Sequence, residues 1–155
     1  MRPFRFRPQP VLDLRIRRRD AAEEALAAAR AATRDAEATV RAAEEALRNA
    51  QARARDALTT AGGLTSAAWH WNWIERLRRD VAGAKDALDV RRQEEARAAE
   101  IAREARRQVK VLERLKARRE RAWRLEAARA EQRAIDELAG LRFAARMRTP
   151  HGETG

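Results

Sequence analysis

No cysteine occurs in these 155 residues. That excludes disulfides, thiolate nucleophiles and metal sites built on sulfur. Tyrosine is also missing, and aromatic residues reach only 5% against 38% charged residues. So few large apolar side chains cannot fill a thick globular core. Gly and Pro are nearly absent from Val11 to Ala61 and again from Ala84 to Ala139. Two long tracts are therefore free of helix breakers. No window of 18 consecutive apolar residues exists, so a transmembrane helix is not expected. The N-terminus is basic but lacks the apolar run and cleavage site of a secretory signal. A cytoplasmic protein is the expectation.

Catalytic chemistry is missing as well. The two histidines, His70 and His151, stand far apart in the chain. There is no Gly-rich phosphate loop, no G-x-x-x-x-G-K-[ST] and no H-E-x-x-H. Carboxylates alternate with Arg at helical spacing, as in RDAAEEALAAARAATRDAE, which marks solvated helix faces with i,i+4 pairs. No enzyme activity, cofactor or metal is expected.

What the chain has in quantity is Ala, Glu, Arg and Leu, the composition of long helices and coiled coils. Stepping by seven from Leu12 meets Arg19, Leu26, Thr33, Val40, Leu47 and Ala54. Three residues further on runs a row of Ala, interrupted only by Arg15. This is a helix-packing stripe whose small members let two helices approach closely. The second tract has its own seam at Ile74, Leu77, Val81, Ala84 and Leu88. It weakens through Arg91 and Glu95 and resumes at Ala98, Ala102, Ala105, Val109 and Leu112. Gly62-Gly63 ends the first tract, since Gly adopts left-handed backbone conformations freely. Thr65 or Ser66 would then cap the second helix.

A short link between two amphipathic helices makes them antiparallel neighbours. The expectation is an all-α fold, two long helices forming an antiparallel coiled-coil hairpin, with the second helix longer and overhanging. Helix one is placed at about 11–60, the turn at 61–65 and helix two at about 66–147. These form one domain over 1–148, with a disordered tail at 149–155. A fold centre near residue 63 sets Leu12 opposite Leu112 or Leu115, Ile16 near Val109 and Val111, Leu26 near Ile101, and Leu47 near Val81. The seam is poor beyond Lys116, so the last ~30 residues would project alone, roughly 45 Å of helix.

The net charge of +11 is unevenly placed. Residues 1–19 hold seven Arg and one Asp, residues 20–102 are slightly acidic, and residues 103–148 hold 15 basic and 7 acidic residues. The excess therefore collects at the end where both termini lie. Three of the four Trp fall in WHWNW, Trp69 to Trp73. At 100° per residue His70 and Trp73 lie near the seam, while Trp69 and Trp71 lie on its two flanks. Three readings stay open: a plug over the turn, an exposed contact surface, or a short strand from the alternation. The basic runs RIRRRD and RRQVKVLERLKARRERAWR carry interspersed Glu and no recognition-module signature, so nucleic-acid binding is not favoured.

Three stretches carry a resemblance. They are the opening FRFRPQPVLDLRIRRRDAAEEALAAAR, the central W-x-W-I-x-x-L, and VLERLKARRERAWRLEAARAEQRAIDELAGLRF near the end. Together they resemble the flagellar type III export protein FliJ family. The resemblance implies a two-helix stalk in the ring of the export ATPase FliI, similar to the γ subunit of rotary ATPases. It also implies contact with the export gate FlhA and handling of export chaperones. Pro8 departs from the family pattern and places the helix start at Pro10 or Val11. RNAQARARDALT lacks the Tyr or Phe common late in the first helix.

On that resemblance the ring-contact candidates in the first helix are Phe4, Phe6, Leu12, Leu14, Ile16, Arg17, Arg18 and Arg19. Those in the overhang are Leu138, Leu141, Phe143 and Met147. The tip candidates for the gate are Trp69, Trp71, Trp73 and Leu77. Such a protein would sit peripherally on the cytoplasmic face of the inner membrane. The alternatives are an injectisome stalk, or a basic coiled-coil scaffold that dimerises or binds nucleic acid.

Overall fold

The computed structural model of the chain describes residues 3–59 and the backbone of 63–148, with side chains from Ala68 onward in the second stretch. Helix α1 is Gln9–Thr59, 51 residues, and helix α2 is Gly63–Arg148, 86 residues. The two pack against each other, and no strand occurs among the described residues. The fold is an all-α helical hairpin. Trp69 to Trp73 are α-helical, which removes the strand reading of WHWNW. Because α2 begins at Gly63, Thr65 and Ser66 lie within its first turns rather than before them. Gly62 and residues 149–155 lie outside the described residues.

By its contacts the chain divides into two units: Arg15–Arg107, and Met1–Leu14 with Gln108–Gly155. In the first, Ala22, Leu26 and Ala102 form a buried cluster, flanked by Ala98, Ala99 and Ala105. Leu26 thus meets Ala102, not the expected Ile101, which is 63% exposed. One residue is a 100° turn of the helix, and Ala102 is the small residue that allows the close approach. A second cluster joins Ala50, Ile74 and Leu77, with Leu47 and Ala54 packed against it. Val40, Val81 and Leu88 are buried too, so the seam of α2 is the one its spacing predicts. Where that seam weakens, α2 continues as helix through Arg91 to Glu95. Opposite it, the buried Thr33 hydroxyl donates to the Ala29 carbonyl at 3.1 Å and lies 3.4 Å from the Arg91 carbonyl.

Ion pairs follow the heptad. Glu23 pairs with Arg106, Glu37 with Arg92 and Glu44 with Lys85. Both rows advance in steps of seven or fourteen, in opposite directions along the chain, which fixes the antiparallel register. The residue that would face Arg30 in this series is Ala99, so Arg30 turns to Glu95 at 3.7 Å. Such exposed pairs add little stability, but they select orientation. Hydrogen bonding from Arg106 holds the Glu23 carboxyl below its usual 4.5, and hydrogen bonding from Lys85 does the same for Glu44. A lowered folded pKa contributes stability above the unfolded value and loses it as pH falls through the folded one. The double variant Glu23→Gln, Glu44→Gln is therefore expected to melt slightly below the natural chain at neutral pH. The two melting curves should converge at acid pH, once both carboxyls are protonated in the folded chain, and high salt should narrow the neutral difference.

The second unit holds both chain ends. The Pro8 carbonyl accepts from the Val11 and Leu12 amides at 3.0 Å, and α1 starts at Gln9 rather than at Pro10 or Val11. Pro10 falls in the first turn, where its missing N–H costs nothing. Phe6, Leu12 and Val109 are buried. The segment before α1 lies along α2. Lys116 donates to Gln9 Oε1 at 2.9 Å, Arg119 sits 5.9 Å over the Phe6 ring, and Phe4 is 6.0 Å from Trp123. α2 is therefore covered at least to Trp123, and Ala127 and Ala130 remain half-buried. From Glu131 to Arg148 every residue is exposed. The uncovered stretch is shorter than the ~30 residues expected, because the N-terminal segment extends the cover beyond the start of α1.

Candidate interaction surfaces

The terminal unit displays apolar side chains where a folded core would hide them. Leu138 is 56% exposed, Leu141 68%, Phe143 64% and Met147 74%. They stand on one helix that ends with Arg146 and Arg148 in its last turn, where cations complement the helix dipole. Leu14 is exposed as well. Phe4 is half-buried against Trp123, and Phe6 and Leu12 are buried; their apolar surface is spent within the unit rather than offered to a partner. Residues Ile16 to Arg19 belong to the other unit. There Ile16 is half-buried, Arg17 and Arg18 are exposed, and Arg19 pairs with Asp20 at 2.7 Å.

Sequence reasoning missed the groove where the N-terminal segment meets α2. It encloses about 1150 Å³ and is bordered by Arg5, Arg7, Lys116 and Trp123. The signal was present: Lys116 and Trp123 are one heptad apart, on the continuation of the α2 seam. A seam position held by Trp marks a covered position even when its neighbours are charged.

The second surface lies in the first unit, beside the turn. Trp69 is 64% exposed, Trp71 61% and Trp73 41%. None is a buried plug. Trp69 stacks on Trp73 with centroids 6.4 Å apart and meets His70 edge-on at 5.1 Å. Guanidinium groups cover two of the rings: Arg76 lies 5.9 Å from Trp73 and Arg78 5.8 Å from Trp71. Such contacts hold an exposed ring in place at small cost. A groove of about 410 Å³ runs between Leu58, His70, Trp71 and Ile74. Leu77, expected at this surface, is instead 7% exposed in the cluster with Ala50 and Ile74. It holds the helices together and has no surface to offer.

Fold and surfaces together define a class: a helical hairpin that exposes large apolar side chains in both units, among them the indoles early in α2 and Leu138 to Met147 near its end. The chain belongs to the flagellar FliJ protein family, whose model matches residues 4–148. It is accordingly a component connected with flagellar export. Neither the curated proteins nor the solved structures contain a match. No helix among the described residues is long and apolar enough to cross a membrane.

Proposed function

We propose that the chain is a non-enzymatic stalk of the flagellar export apparatus, with its terminal unit seated in the ring of the export ATPase FliI. The observation that carries this reading is the uncovered helix from Glu131 to Arg148. A lone helix of this composition is marginal in water and gains its stability from a partner. Leu138, Leu141, Phe143 and Met147 supply the apolar anchors, and the surplus of Arg suits an acidic or polar ring lining. Leu14 is a further exposed apolar side chain of the same unit. The turn end, which carries the exposed Trp69, Trp71 and Trp73, faces toward the export gate FlhA, and export chaperones are further partners of the same hairpin. On this reading the protein sits peripherally on the cytoplasmic face of the inner membrane.

Titration of the chain into its cognate ATPase should raise the rate of ATP hydrolysis severalfold, with no turnover by the chain alone. Absence of stimulation at every protein ratio would remove the stalk reading. A stable dimer that hides residues 131–148, or salt-sensitive nucleic-acid binding, would put the basic scaffold in its place.

A further inference from the structure

In a chain that is 38% charged, residues 57–74 contain no Asp, Glu, Lys or Arg. This run, ALTTAGGLTSAAWHWNWI, spans the end of α1 and the start of α2. Its flanks are mainly basic: Arg53 and Arg55 with Asp56 on one side, and Arg76, Arg78 and Arg79 with Glu75 on the other. Apart from Ile74, which is in the core, its large described apolar members are open: Leu58 is 68% exposed, and the three indoles are as given above.

The indoles are arranged as a belt. Trp69 and Trp73 share one side of α2, as their stacking shows, while Trp71 lies about 160° around the helix from Trp73. All three fall within about 6 Å of helix rise. A protein groove takes up one face of a helix. Trp on opposite faces at one level, with Arg a turn or two further on, is the order found at a membrane–water interface. There the indoles sit at headgroup depth, and guanidinium groups meet lipid phosphates while their stems lie along apolar surface.

We propose that the turn end of the hairpin docks directly on an anionic phospholipid surface. Trp69, Trp71, Trp73 and Leu58 enter the interface, and Arg53, Arg55, Arg76, Arg78 and Arg79 face the phosphates. It is an interfacial contact, consistent with the lack of a membrane-spanning helix among the described residues. The run itself brings no carboxylate to the interface; the two at its borders are Asp56, next to Arg55, and Glu75, which pairs with Arg78.

The test uses the full chain carrying Trp123→Phe, so that every remaining indole lies in the belt. It is mixed with vesicles of phosphatidylglycerol and phosphatidylcholine bearing bromine on the acyl chains. Blue-shifted emission quenched by the bromine is expected, and pure phosphatidylcholine should give little of either. The triple variant Trp69→Ala, Trp71→Ala, Trp73→Ala should partition into the mixed vesicles about tenfold less, with unchanged helicity, since none of the three is in the core. The quenching result stands by itself if that variant folds poorly.

Vesicle binding with unquenched indoles would mean attachment through the basic terminal unit and would overturn the proposal. Absence of binding would overturn it too. So would indoles protected by the soluble part of the gate protein but unaffected by lipid. Neither ATPase nor gate is needed for the lipid measurement, so its failure leaves the stalk reading intact.

Discussion

Removal of residues 131–148 is expected to abolish stimulation of the export ATPase while the helical hairpin stays folded. Every residue in this stretch is exposed, so the deletion takes no buried side chain from the core. It shortens α2 by about 27 Å of helix. Helicity should fall in proportion to length, and the melting temperature should hold. The loss at the ring is large because the deletion removes several apolar anchors at once. Two anchors worth about 2 kcal/mol each weaken binding roughly a thousandfold. Co-sedimentation with the ATPase and hydrolysis rates measure the two sides of the effect. A truncated chain that still stimulates fully would move the ring contact elsewhere, with Leu14 the first place to look.

Leu26→Ala is expected to cost about 3 kcal/mol of unfolding free energy, while Leu141→Ala costs less than about 0.5. The residue types are the same; the surroundings differ. Leu26 is 3% exposed and packs on Ala22 and Ala102, with Ala98, Ala99 and Ala105 around them. It is the one large side chain of that cluster, and no neighbour is long enough to fill the space it would leave. Leu141 is 68% exposed, so its truncation opens no cavity. Thermal or urea melts followed by circular dichroism give both values. Equal costs at the two positions would mean that the last helical stretch is packed rather than free. The same pair should reverse in the ATPase assay, where Leu141→Ala weakens binding and Leu26→Ala acts only through stability.

Much of this was legible in the residues because a two-helix fold is almost a one-dimensional object. The expected seam members Ile74, Leu77, Val81 and Leu88 are all buried, and so are Leu12, Leu26 and Val40. Partner assignment was less accurate. Leu26 was set beside Ile101 when it meets Ala102, since counting from a turn fixes register only to within a residue or so. The surfaces were harder still. Leu77 and Phe6 were read as contacts and are core, whereas Trp123 was dismissed with a weakened seam and anchors Phe4. In each case the deciding neighbour is far away in sequence: Leu77 meets Ala50, and Phe4 meets Trp123. Local periodicity carries no record of such a neighbour.

The chain's own residues determined that it is helical, that it doubles back, and which stripe of each helix is buried. Those properties follow from spacing and from the absence of breakers, both local and repeated along the chain. Only the tertiary structure decided how far the N-terminal segment covers α2, and hence that the fully exposed stretch of helix begins at Glu131. It alone separated the exposed indoles from the buried leucine four residues past Trp73. Exposure is set by what packs across the helix. Where two helices bury only one stripe of each other, a turn of 100° is enough to move a side chain from the core to water.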